Sequence, residues 1–137
     1  MSLLSVFDVA GSAMNAQSVR MNVTTSNLAN AGSVSGDPDK VYRAKQPIFS
    51  TFQDALGRES GSSGVRLDGI IESSAPLSRR FQPDHPDADV DGNVYVSNVN
   101  TIEEMVNMIS ASRSYKNNIE IINTTKELLT QTLSMGR

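Results

Sequence analysis

Cysteine and tryptophan are both missing from this 137-residue chain. Without cysteine there is no disulfide, no thiol nucleophile and no Cys-based metal site. Aromatic residues make up only 5% of the chain and hydrophobic residues 38%. That is thin for a self-sufficient core, so some apolar surface is expected to await a partner. Histidine occurs once, at His85 beside a proline, and no serine–histidine pairing suggests itself. "GSSG" is followed by Val-Arg rather than the Lys-Ser or Lys-Thr of a phosphate-binding loop. Arg79-Arg80 is an isolated basic pair, read as a solvated strand end. The sequence therefore assembles neither a catalytic constellation nor a cofactor site, and no enzyme is expected.

An excess of positive charge is also lacking. Twelve Lys and Arg stand against fifteen Asp and Glu, a formal charge of -3, which argues against a nucleic-acid partner. No run approaches the eighteen or so consecutive apolar residues of a membrane span. "MSLLSVFDVAGSAMNAQSVR" has no positive n-region, and Asp8 interrupts its apolar stretch. Any export is expected to proceed without a cleaved signal peptide.

Proline is absent from both ends. All five prolines lie between residues 38 and 86, and seven of nine glycines between 32 and 92. This divides the chain into an N-terminal helix, 1–31, a β/loop middle, 32–98, and a C-terminal helix, 99–137. An α+β fold is expected, with the terminal helices pairing as a coiled-coil-like rod and forming one helical core domain.

The first helix has a seven-residue repeat in Phe7, Met14, Met21 and Leu28. Leu3, Ala10 and Thr24 fall on the adjoining d-type positions, with Gln17 interrupting them. Small residues between them, Ser12, Ala13, Ala16 and Ser18, would let a neighbouring helix approach closely. Only Asp8 and Arg20 are charged. Asn30 and Gly32 mark the stop. In the last segment Met105, Ser112, Ile119, Lys126 and Leu133 take position a, and Met108, Tyr115, Ile122 and Leu129 position d, with Ile102 and Ile109 widening the stripe. Asn100 or Thr101 would cap it, and Glu103 and Glu104 suit the positive end of the helix dipole.

In the middle, "VYRAKQPIFSTF" reads as a strand pair or a strand interrupted at Pro47, and "VRLDGIIES" as a strand bent at Asp68-Gly69. "GRESGSSG", 57–64, reads as a flexible turn, and "NVYVSNV" as the last strand. The loop before that strand imitates a calcium site. Counted from Asp87, Asp89 is third, Asp91 fifth, Gly92 sixth and Asn93 seventh, as in an EF-hand. The twelfth position, where a bidentate Glu belongs, is Asn98, and Pro83 and Pro86 oppose an entering helix. An acidic turn feeding a strand is the preferred reading. Asn98 and Asn100 then serve as turn and cap residues.

"GSAMNAQSVRMNVTTSNLANAGS" resembles the N-terminal motif of bacterial flagellar rod and hook proteins. "YVSNVNTIEEMVNMISASRSYKNNIEIINTTKELLTQTL" resembles their C-terminal motif. "VYRAKQPIF" and "HPDADVDGNVYVSNVN" look like the proximal-rod members of that family. Many members run from the Asn-rich helix end into a Thr-x-Gly-Tyr turn. Here "AGSVSGDPDK" intervenes before Tyr42, as in the proximal-rod members. The resemblance implies a subunit of a helical tube around a secretion channel, with terminal helices inside and the middle outside. It implies a basal-body location across the periplasm. Its partners would be other copies, neighbouring flagellar rod proteins and the flagellar export apparatus. Phe7, Met14, Met21, Leu28, Met105, Met108, Tyr115, Ile119, Ile122, Leu129 and Leu133 are then the expected assembly interface. A helical adaptor or chaperone of a secretion system is the second reading. A calcium module using Asp87, Asp89, Asp91 and Asn93 is the third.

Overall fold

The computed structural model describes residues 3–53 and 63–136. The side chain of Leu3 and most of the turn expected at 57–64 lie outside the described residues. Among the described residues two long helices flank five strands: α1 (Leu3–Ala29), β1 (Val34–Ser35), β2 (Lys45–Gln53), β3 (Ser63–Glu72), β4 (Ser78–Phe81), β5 (Asn93–Val96) and α2 (Thr101–Met135). The class is α+β. No helix among the described residues is long and apolar enough to cross a membrane.

The helices extend because nothing in them breaks the ladder; α1 at 27 residues and α2 at 35 run about 40 and 52 Å at 1.5 Å per residue. Asn30 closes α1. Its backbone N–H and its side-chain amide both reach the Ser26 carbonyl, at 3.1 and 2.8 Å. Gly32 takes no part as a left-handed stop, since Gly92 is the only described glycine with positive φ. Asn100 is the cap of α2: its Oδ1 accepts from the backbone N–H groups of Ile102 and Glu103.

β2 and β3 form one antiparallel hairpin, Lys45↔Glu72 through Gln53↔Ser63. Pro47 lies within β2 opposite Ile70 rather than splitting it. The register shifts between Ile48 and Phe49, whose partners are Gly69 and Leu67, so Asp68 is the extra residue of a bulge. The bend expected at Asp68-Gly69 is this bulge. Ser50 Oγ donates to the Asp68 carboxylate at 2.8 Å. That bond, then Arg66, holds the carboxyl below its ordinary pKa. A second, three-stranded antiparallel sheet has the order β1-β5-β4. The insert before Tyr42 thus supplies an edge strand, with Val34 against Val96 and Ser35 against Tyr95.

α1 is covered from two sides, by α2 and by the β2–β3 hairpin. This accounts for its low charge. The small residues expected to admit a helix in part admit a strand. Ser12 Oγ accepts the Val65 N–H at 3.1 Å while donating to the Val9 carbonyl at 2.8 Å. Gly64 completes that approach, because a side chain there would run into the Phe52 ring. On the same hairpin the Arg20 guanidinium lies 5.7 Å from the Phe49 ring centroid.

Among the described elements, α2 packs only on α1. Asn27 near the end of α1 reaches Glu104 in the first turns of α2, and the two helices run antiparallel from that point. Twenty-one residues farther along α2 lies buried Thr125, and twenty-one residues back along α1 lies Val6.

Candidate functional site

The face that α2 turns towards α1 is not centred where the sequence pattern put it. Ala111 and Thr125 are buried. Glu104, Met108, Tyr115, Asn118, Ile122 and Leu129 are half-buried. These eight positions alternate steps of four and three. They comprise the four expected d residues plus the residues one place before the first four expected a residues, Met105, Ser112, Ile119 and Lys126. The expected a residues Met105, Ile119 and Leu133 are 46%, 37% and 68% exposed. The pattern supplies the period of a helix stripe but fixes its phase poorly when both neighbouring positions are apolar. On α1, Phe7, Met14, Met21 and Leu28 are half-buried, and the buried positions are Ala10, Ala16, Val23, Thr24 and Asn27.

Away from α1, α2 also exposes apolar residues among its polar ones. Ile102, Met105, Val106 and Ile109 are exposed at i, i+3, i+4 and i+7, one stripe on a helix surface. Ile121, Leu128 and Met135, also exposed, form a separate apolar row at seven-residue steps, about a quarter-turn round the helix from that stripe. An exposed helix of a lone chain would ordinarily carry charge at such places.

The inner end of the pair is a polar junction. Asn27 is 1% exposed, yet its amide is fully used. Nδ2 donates to the Lys45 carbonyl at 2.9 Å and to Glu104 Oε1 at 3.0 Å. Oδ1 accepts from the Lys45 N–H and the Tyr42 hydroxyl, both at 2.9 Å. The carboxamide offers Lys45 a donor beside an acceptor, as a neighbouring strand residue would. Tyr42 also meets Ser26 Oγ at 3.1 Å, and the Lys45 ammonium lies over its ring. Burial raises the pKa of Glu104 above the ordinary 4.5, and neighbouring Glu103 adds to this. Hydrogen bonds from Asn27 and Thr24 pull the other way.

The acidic loop is organised by its own backbone. Asp89 Oδ1 accepts the N–H groups of Asp91 and Asn93, at 2.7 and 3.2 Å. Asp89 and Asn93, and Asp89 and Gly92, are joined by backbone bonds of 2.9 Å. Gly92 takes φ +72, and its Cα faces Pro83 and Phe81 at a spacing where a side chain would crowd them. Asn98, the twelfth position of the calcium pattern, turns away. It accepts the Ala44 N–H at 2.8 Å and donates to the Ala75 carbonyl at 3.0 Å, tying the approach to α2 to the start of the hairpin. The loop packs back on β1, since Gly36 lies directly against the backbone of Asp87 to Asp89. This geometry makes a turn that delivers β5.

Sequence reasoning missed Asn27. In "SNLAN" an asparagine signals a helix stop, which Asn30 supplies; the partners of Asn27 lie 15, 18 and 77 residues away and leave no local signal.

Family comparison matches both ends of the chain. The family described as "Flagella basal body rod protein" matches residues 7–36. "Flagellar basal body rod FlgEFG protein C-terminal" matches residues 90–135. The flagellar basal-body rod protein FlgC of Yersinia enterocolitica is 52% identical over 137 residues, all of both chains. The FlgC proteins of Salmonella typhimurium and Escherichia coli O157:H7 are 49% and 48% identical, again over the whole of both chains.

Proposed function

The chain belongs to the FlgC family of flagellar basal-body rod proteins, and on that premise we propose that it polymerises as a proximal-rod subunit through the outer face of α2. It is a structural subunit of the basal-body rod and not an enzyme, and it works in the flagellar basal body beside other rod components. Neither an adaptor nor a calcium module is supported.

The observation that carries the polymerisation reading is the exposed stripe Ile102, Met105, Val106 and Ile109. Apolar surface of this extent facing away from the chain's own core is characteristic of an interaction face. The expected assembly residues then divide by role. Met108, Tyr115, Ile122 and Leu129 close the helix pair with Phe7, Met14, Met21 and Leu28 beside them. Met105, Ile119 and Leu133 reach neighbouring subunits. The alternating four–three spacing along α2 supports a coiled-coil-like pairing, which would stiffen a tube that transmits torque around the export channel. Passage through the flagellar export apparatus in a largely unfolded form suits a cysteine-free chain with a thin core. Ordering at the assembly site would give up binding energy while limiting premature polymerisation.

Deleting the gene from its host tests the reading. Loss of swimming, with basal bodies halted before rod and hook in electron micrographs of the envelope, is expected. Normal flagella in the deletion strain would refute it.

A further inference from the structure

The three-stranded sheet is electrically lopsided. Its order β1-β5-β4 leaves β4 at one edge and β1 at the other. All four residues of β4, Ser78–Phe81, are exposed, and Phe81 is 69% exposed. The side chains of Arg79 and Arg80 have no ion-pair or hydrogen-bond partner among the described residues. The opposite edge is acidic. Gly36, directly after β1, lies against Asp87 to Asp89, and the turn that follows carries Asp37 and Asp39. Asp37 is occupied by Lys40 at 3.2 Å, whereas the Asp39 carboxylate has no ion-pair partner among the described residues. Among the described residues the Asp87 carboxylate has His85 as its ion-pair neighbour, at 4.0 Å. β5 stands between the two edges, so they are separated by two strand spacings, about 9.5 Å. No ion pair joins the two edges among the described residues, so the charges of one copy leave each other unpaired.

An open strand edge is a template for another chain. A basic edge opposite an acidic one also fixes direction, because a copy joined at one edge presents the other to the next. Such a head-to-tail contact propagates rather than closing on itself. We propose that adjacent subunits meet through these edges, with β4 of one copy, bearing Arg79, Arg80 and Phe81, beside the β1 edge of the next, bearing Asp39 and Asp87. This inference deepens the rod-subunit reading and rests on it. The partner is a second copy, since the chain itself carries both complementary edges, and the charges steer the approach while strand pairing and Phe81 hold it.

The test uses the full chain, expressed in its host in place of the resident gene. Arg80→Cys and Asp87→Cys are introduced together into the cysteine-free chain, and envelope fractions are run on non-reducing gels. A ladder of multimers, absent from either single variant, is expected; monomer alone, or monomer linked within itself, overturns the contact. In parallel, Arg79→Glu with Arg80→Glu, and separately Asp39→Lys with Asp87→Lys, should each abolish swimming, and all four together should restore it. If the reversed pairs swim normally, or the fourfold variant stays immotile, the proposal is overturned. The gene deletion separates the two levels: halted rods in the deletion strain with normally swimming charge reversals refute only the edge contact. An intact flagellum after deletion refutes the rod reading itself.

Discussion

Replacing Asn27 with Ala removes four hydrogen bonds from a side chain that is 1% exposed, and the cost depends on who is left stranded. Tyr42 retains Ser26 Oγ at 3.1 Å. Glu104 is half-buried and can turn to water. The Lys45 N–H and carbonyl have no such recourse, because their direction is set by the hairpin and faces α1. Leaving a buried polar group unsatisfied costs about 1–3 kcal/mol, so two groups give about 4 kcal/mol. With an unfolding entropy near 2.1 cal/mol/K per residue, a chain of this length has roughly 0.29 kcal/mol/K at its midpoint. The melting temperature should therefore fall by about 14 °C. Thermal unfolding of the purified chain, followed at 222 nm, measures this. Asn22→Ala is the control, since Asn22 is exposed on the same helix, and it should stay within about 2 °C of wild type. A fall of less than about 3 °C for Asn27→Ala would refute the reasoning, because water would then satisfy Lys45 as well as Asn27 does.

Glu104 supplies a pH prediction. Burial raises its pKa, so the folded state holds its proton more tightly than the unfolded state. Its contribution is fully present below the ordinary value of 4.5 and is lost as pH rises through the folded value. Glu104→Gln keeps an oxygen for Asn27 and cannot ionise. Its stability relative to wild type should grow between pH 4 and pH 7, and a difference that is flat or shrinks over that range in parallel melts would contradict the assignment. At Gly36, a side chain would collide with the backbone of Asp87 and Asp89. Gly36→Ala should therefore cost about 2 kcal/mol by overpacking, and hydrogen exchange should show new opening at Ser35 and Tyr95, where β1 pairs with β5. Wild-type exchange there would show that the loop yields freely.

The helices were legible because proline stops at the ends and apolar residues repeat at helical spacing. The cap at Asn100 and the bend at Asp68 were legible because each is a local chemical signal. The phase of α2 was not. Met105 and Glu104 are adjacent, and hydrophobicity favours the methionine. The contact with α1 instead takes Glu104, Ala111 and Thr125, because close approach to a helix hemmed in by a hairpin needs small or hydrogen-bonding side chains. The division of the middle into two sheets was also hidden, since β1 has two residues and owes its place to pairing with β5, some sixty residues later. The acidic loop was legible as a turn because its twelfth position lacks the Glu and prolines precede it. Its carboxylates have calcium spacing, but Asp89 caps a turn and Asn98 ties down Ala44 and Ala75.

The outer face of α2 is where the account is most exposed to test. A strain lacking the gene would be complemented with the chain carrying Met105→Asp and Ile109→Asp, both on the solvent side of α2. Basal bodies would then be isolated for electron microscopy. The purified variant should keep the helicity of wild type and melt close to it, because both residues are about half exposed and the positions facing α1 are untouched, while rods should fail to form beyond the point reached in the deletion strain. Complete rods and normal swimming with this variant would contradict the claim that subunits join through that face.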